Sequence, residues 1–124
     1  MADINNFPFV GKLRREKRGT EGEIVMVNIK PDIRAKITLT QERPVYSGYR
    51  PAHLIGDYLT TGVQEYFNTD ILKSGETAEG TITFLSPEHY PHSLKVGMRL
   101  VFQDGSKIAG YAEILEIYNE LLKM

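Results

Sequence analysis

An all-β fold, either a barrel or a sandwich, is what the sequence predicts, and three observations carry it. Asp104-Gly105 stands between two runs of β-forming residues, the strongest short-range signal for a hairpin. Ile33, Ala35, Ile37 and Leu39 alternate with Arg34, Lys36, Thr38 and Thr40. That period of two gives one apolar face for a core and one polar face for water. The other apolar runs are short and separated by turn residues, and no stretch of useful length has helical periodicity.

The 124 residues suit one domain with one core. The expected organisation is an N-terminal arm over residues 1–23 and a β domain over residues 24–124. In the arm, Phe7-Pro8-Phe9-Val10 is a short apolar anchor, and Phe7 and Phe9 are expected to pack on the barrel. Lys12, Arg14, Arg15, Lys17 and Arg18 follow as a basic cluster, diluted by Glu16, Glu21 and Glu23. Such a cluster can lie on phosphates with steep salt dependence, or it can be a solvated strand end. Ile24–Ile29 reads as a strand, and Lys30-Pro31-Asp32 ends it. This strand could add to the barrel or pair between chains, so monomer and dimer both stay open.

Beyond Leu39, Pro44 breaks the run and Ser47-Gly48-Tyr49-Arg50-Pro51 is a turn-like connector. Ala52 to Ile55 and Gly62 to Phe67 are short strand candidates around Gly56-Asp57-Tyr58. Thr77 to Leu85 is a long strand with Ala78, Gly80, Ile82 and Phe84 on one face, and Gly80 suggests a bend or bulge. Ser86 to Val96 is expected to be an exposed irregular loop. After the hairpin, whose second strand runs from Lys107 to about Ile117, the tail can add one helical turn, with Leu121 and Leu122 capping a barrel end.

Composition excludes several function classes. With no cysteine, disulfides, thiol catalysis and cysteine zinc sites are absent. A net charge of −1 supplies no bulk attraction to nucleic acid or anionic lipid. The first residues lack a signal-peptide layout, and no apolar run approaches the ~20 residues that span a bilayer. A cytoplasmic protein without membrane contact is the expectation. There is no Gly-x-Ser-x-Gly elbow and no Ser/His/Asp order, so no catalytic residue is assigned. His89 and His92, with Glu88 and Tyr90, are the one cluster that resembles a metal or acid–base site. Pro91 disfavours a helix that would align them, and no further ligand group is recognisable. Neither a metal nor a cofactor is assigned.

From Ile33 to about Ile117 the chain resembles the third, C-terminal domain of translation elongation factor Tu. Ser47-Gly48-Tyr49-Arg50-Pro51 reproduces a family motif, and Gly62 falls where the family has the glycine of Val-Thr-Gly. Ser74-Gly75-Glu76 looks like Pro-Gly-Asp, and Gly97-Met98-Arg99-Leu100 like Gly-Leu-Arg-Phe. Asp104-Gly105-Ser106-Lys107-Ile108-Ala109-Gly110 is similar to Glu-Gly-Gly-Arg-Thr-Val-Gly. The resemblance implies a six-stranded antiparallel β-barrel, here without the family's GTPase domain or its phosphate-loop motif. In the family this barrel contacts the T-stem of aminoacyl-tRNA and helps bind the nucleotide-exchange factor.

The chain departs from the family where tRNA contact matters most. The basic Gly-Gly-Arg-His-Thr-Pro loop is shortened to about Gln41-Glu42-Arg43-Pro44, Phe-Arg-Thr reads Ile55-Gly56-Asp57, and Gly-Ala-Gly reads Gly110-Tyr111-Ala112. The framework is kept while the RNA-facing chemistry changes. The first functional expectation is therefore a non-catalytic protein-binding module, with a translation-associated partner implied by the resemblance. Its candidate surface is Arg50, Asp57, His89, His92, Arg99, Lys107 and Tyr111. The alternative is an RNA- or tRNA-binding module that uses the basic arm and a barrel face. An enzyme built on the His89/His92 loop is the third reading.

Overall fold

The computed structural model describes residues 30–124 in full and the backbone of residues 10–16 and 23–29. The chain divides into two compact units, Met1–Pro31 and Asp32–Met124. In the first, β1 (Val10–Glu16) pairs antiparallel with β2 (Glu23–Ile29). β2 covers the expected strand Ile24–Ile29. Phe7, Phe9, Lys17 and Arg18 lie outside the described residues.

The second unit is all-β. Its strands are β3 (Ile33–Leu39), β4 (Val45–Tyr46), β5 (Ala52–Ile55), β6 (Tyr58–Tyr66), β7 (Ile71–Leu72), β8 (Thr77–Phe84), β9 (Arg99–Asp104) and β10 (Lys107–Ile117). Six of them close an antiparallel barrel in the order β9-β10-β3-β8-β6-β5. Pairing of β5 with β9, Phe102 opposite His53, completes the ring. This architecture is compatible with the fold the resemblance implied.

The alternation in β3 decides which face is inside: Ile33, Ala35, Ile37 and Leu39 are fully buried, while Lys36 is exposed. Ile82, Phe102 and Ile114 meet them in the core. Each buried Ile, Leu or Phe side chain contributes about 1.5–3 kcal/mol by leaving water. Gly80 is not a bulge, since β8 keeps register through it with both neighbours. It is a point of close approach, where an added Cβ would collide with the Glu65 carbonyl oxygen on β6. Gly110 is confined in the same way by the Thr38 carbonyl on β3. The register shifts fall elsewhere, at Phe102/Gln103 between β9 and β10 and at Ile114/Glu116 between β10 and β3.

Two tight turns mark opposite ends of the barrel. Ile55 pairs with Tyr58 around Gly56-Asp57, and Asp104 pairs with Lys107 around Gly105-Ser106. In each, the glycine has positive φ (59° and 65°) and holds the first central position, the pattern of a type II′ turn. Asp104 is therefore the last strand residue rather than a central residue of the turn.

Near the Gly56-Asp57 end, the Asp32 carboxylate gathers the chain. Its Oδ2 accepts the Phe84 N–H at 2.7 Å, and its Oδ1 accepts the Asn119 side-chain amide at 2.8 Å. The Asp32 carbonyl accepts the Tyr118 N–H at 2.8 Å. Burial pushes the Asp32 carboxyl above its ordinary range, and the bonds from Phe84 and Asn119 oppose that shift. The tail and the 86–97 loop lie side by side here: the Leu94 N–H donates to the Leu122 carbonyl and the Met124 N–H to the Leu94 carbonyl. Leu94 and Leu122 are fully buried and Tyr90 is nearly so. The expected exposed loop is thus partly core. Leu122 caps the end as expected, while Leu121 of the 3₁₀ turn Glu120–Leu122 remains 40% exposed. At the other end, Val45 and Leu72 are buried where β4 pairs with β7.

Candidate interaction surface

The residues singled out from the sequence fall in three places. Asp57 is at the tip of the β5–β6 turn, and His89 ends the 3₁₀ turn Pro87–His89. The Tyr58 and Tyr90 rings, with centroids 6.3 Å apart, and a 2.9 Å bond between the Thr60 and Tyr90 hydroxyls join these segments. Arg50 and Lys107 lie toward the opposite end, in the connector before β5 and at the start of β10. Arg99 and Tyr111 meet on the outer wall, the guanidinium carbon 4.2 Å from the ring centroid. Such a contact over an aromatic face contributes about 0.5–1 kcal/mol when exposed.

His92 has a positive φ of 56°, and its Nδ1 lies 2.8 Å from the Lys123 carbonyl, so the ring donates to the tail. Among the described residues, no group of three or more histidines and carboxylates is placed to hold a metal ion. Lys12, Arg14 and Arg15 of the basic cluster lie on β1.

Sequence reasoning passed over His53, which is fully buried inside the barrel. The Tyr66 hydroxyl donates to Gln64 Oε1 at 2.9 Å, which leaves the Gln64 amide nitrogen to face His53 Nε2 at 3.0 Å. Nε2 then accepts, and the neutral ring carries its proton on Nδ1. That Nδ1 is buried without a hydrogen-bond partner. Burial pushes the His53 pKa down to about 4, and the backbone of Thr60 and Pro51, near but outside hydrogen-bonding geometry, offsets part of the shift. Phe84 packs edge-on at 5.6 Å. Gly62 makes the room, since a Cβ there would sit 2.9 Å from the ring. A signal was present: Gln64 shares inward parity with Gly62 and Tyr66, and a polar residue at an inward position needs a partner.

The outward parity holds a second missed feature. Leu54 and Leu59 are directly opposite each other on β5 and β6, yet both are exposed. Leu85, 74% exposed, follows β8, and its N–H donates to the Thr61 carbonyl two residues along from Leu59. Tyr58, 58% exposed, stands at the rim. The signal was apolar residues at solvent-facing positions of an alternating strand.

The wall formed by β8, β3 and β10 has a different character. Arg34 bridges Glu79 at 3.1 Å and Glu116 at 3.3 Å, while Lys36 is in register with Glu79 and Glu113. Its cations face acids across the strands. No helix of the described residues is long and apolar enough to cross a membrane. No protein-family model matches the chain, and no curated protein matches its sequence.

Proposed function

We propose that the chain is a non-catalytic protein-binding module of the elongation factor Tu domain III type, docking a partner on the wall formed by Leu54, Leu59 and Leu85. The observation that carries this reading is the exposure of three leucines on three neighbouring elements of a closed barrel. Contiguous apolar surface left in water marks interaction sites. Burying a fully exposed leucine contributes about 1.5–3 kcal/mol, and Leu54, Leu59 and Leu85, at 37%, 53% and 74% exposure, offer a share of that as the apolar centre of an interface. Asp57 at the adjoining turn and Glu88 in the next loop give this surface an acidic rim. The family's role in translation suggests a partner from that machinery.

Capture from cell lysate with tagged wild-type and Leu59→Asp protein, each split into nuclease-treated and untreated halves, tests the reading. A protein that survives nuclease on the wild type and is lost on Leu59→Asp is the expected result. Partners retained by the variant overturn the docking face. The second reading, RNA or tRNA binding, draws on Lys12, Arg14 and Arg15 sharing one strand. It predicts recovery of RNA with an affinity that falls steeply with salt.

A further inference from the structure

Toward the Gly105-Ser106 end, away from the leucine wall, an open groove of about 350 Å³ is lined by the 43–49 segment, including Arg43, Tyr46 and Tyr49, and by Asp104. A volume of this order is enough for one side chain or a small ligand. The Asp104 carboxylate is its one acid. Tyr49 donates its hydroxyl to Asp104 Oδ2 at 3.4 Å, and Arg43 Nη2 reaches the same oxygen at 3.5 Å. Both contacts are at the long limit of a useful polar interaction. No other hydrogen bond to this carboxylate is made among the described residues, although an ionised carboxylate has about four acceptor positions.

The rest of the lining narrows the ligand class. Burial and the neighbouring carboxylate hold the Tyr49 hydroxyl's pKa up at about 12, so it remains a neutral donor. Its ring is fixed by an edge contact to Phe102 at 6.2 Å. The Tyr46 ring, 66% exposed, stands beside open space. One carboxylate cannot hold a bare metal ion, since calcium takes six to eight oxygens and zinc three or four protein ligands. An anion would have to approach Asp104. A carboxylate with aromatic neighbours suits an organic cation, for which ring faces add attraction. The Arg43 guanidinium, with 80% of its side chain exposed, already reaches this carboxylate from the solvent side.

We propose that this groove binds an arginine side chain of a partner polypeptide, Asp104 taking its charge and Tyr46 and Tyr49 flanking it, with Arg43 as the internal competitor that it displaces. The site is at the other end of the barrel from the leucine wall, so either can fail without the other.

The test is a titration of the ¹⁵N-labelled full chain with N-acetyl-arginine N-methylamide, read from amide shifts. The expected result is a saturable response centred on Gly48, Tyr49, Asp104 and Gly105. Asp104→Asn weakens binding about tenfold or more, the loss of a charge-assisted contact. Arg43→Ala, which alters an exposed side chain and leaves the fold intact, tightens it. The lysine analogue binds more weakly, lacking the planar fork, and the uncharged citrulline analogue gives no response. Absence of shifts at tens of millimolar arginine analogue overturns the proposal, as does an equal response to citrulline. Weaker binding in Arg43→Ala also overturns it, because that sign belongs to an anion site.

Discussion

Acid should unfold this barrel partly through one residue, His53. Its pKa is about 4 when folded, against an ordinary 6.5. The folded value is the lower one, so protonation favours the unfolded chain. The contribution of this group is fully present above pH 6.5, declines as pH falls from there, and is lost once pH has passed through about 4. At about 1.36 kcal/mol per pH unit, that interval amounts to about 3 kcal/mol, a large part of the 5–15 kcal/mol typical of a domain. Asp32 acts in the opposite sense, because its folded pKa is raised. It therefore gains stability on protonation toward the bottom of the window.

The assay is urea unfolding of wild type and His53→Leu from pH 8 to pH 4, followed by far-UV circular dichroism, since the chain has no Trp to report. Leucine leaves the Gln64 amide without its partner, which sets a pH-independent offset of about 1–3 kcal/mol. The diagnostic is the difference between the two curves. It should shrink or reverse by about 3 kcal/mol between pH 6.5 and 4 as only the wild type pays for charging the ring. Curves that stay parallel across that window would refute the reasoning, because a histidine that titrates normally cannot be buried neutral behind Gly62.

Other expectations follow from the same geometry. Gly80→Ala should destabilise the barrel by at least the 1–3 kcal/mol, roughly, of an overpacked core, because the Cβ meets the immovable Glu65 carbonyl; thermal unfolding reads it, and an unchanged midpoint refutes the close approach. Asp32→Ala should cost about 2–4 kcal/mol by leaving the Phe84 N–H and the Asn119 amide unpaired. Hydrogen exchange should then show faster opening of the 118–124 tail, and unaltered protection there would count against the clasp. Arg34→Gln should change stability by less than about 1 kcal/mol, since its bridges to Glu79 and Glu116 are open to solvent; a larger loss in urea unfolding would mean that this wall is structurally strained.

What could be read from the sequence and what could not divides along the range of the interactions. The inward face of β3 follows from a local period of two, and the hairpin at Gly105 from local backbone chemistry, although its central residues are Gly105-Ser106 rather than Asp104-Gly105. Gly80 was recognised as special but given the wrong reason, because the obstacle belongs to Glu65, which only the pairing of β6 with β8 brings near. The 86–97 loop has no pattern of its own; Leu94 is buried where the tail returns beside it, and Tyr90 where it packs on Phe84 and Tyr58.

The same limit governs the candidate site. Residue types suggested that Arg50, Asp57, His89, His92, Arg99, Lys107 and Tyr111 belong to one surface, but closure of β5 onto β9 puts the Gly56-Asp57 and Gly105-Ser106 turns at opposite ends. Asp57 and His89 then share one end, while Lys107 goes with Asp104 at the other. Elsewhere on the described surface, Arg34 and Lys123 meet acids of the same chain at 3.0–3.3 Å. A paired charge on a solvated wall offers a partner little, because the partner must first displace an interaction already made. An exposed leucine has no such competitor, and covering it releases water that no internal contact has removed. That asymmetry is why Leu54, Leu59 and Leu85, rather than the charged residues, carry the docking proposal, and why Asp104, whose contacts to Arg43 and Tyr49 are long at 3.5 and 3.4 Å, carries the other.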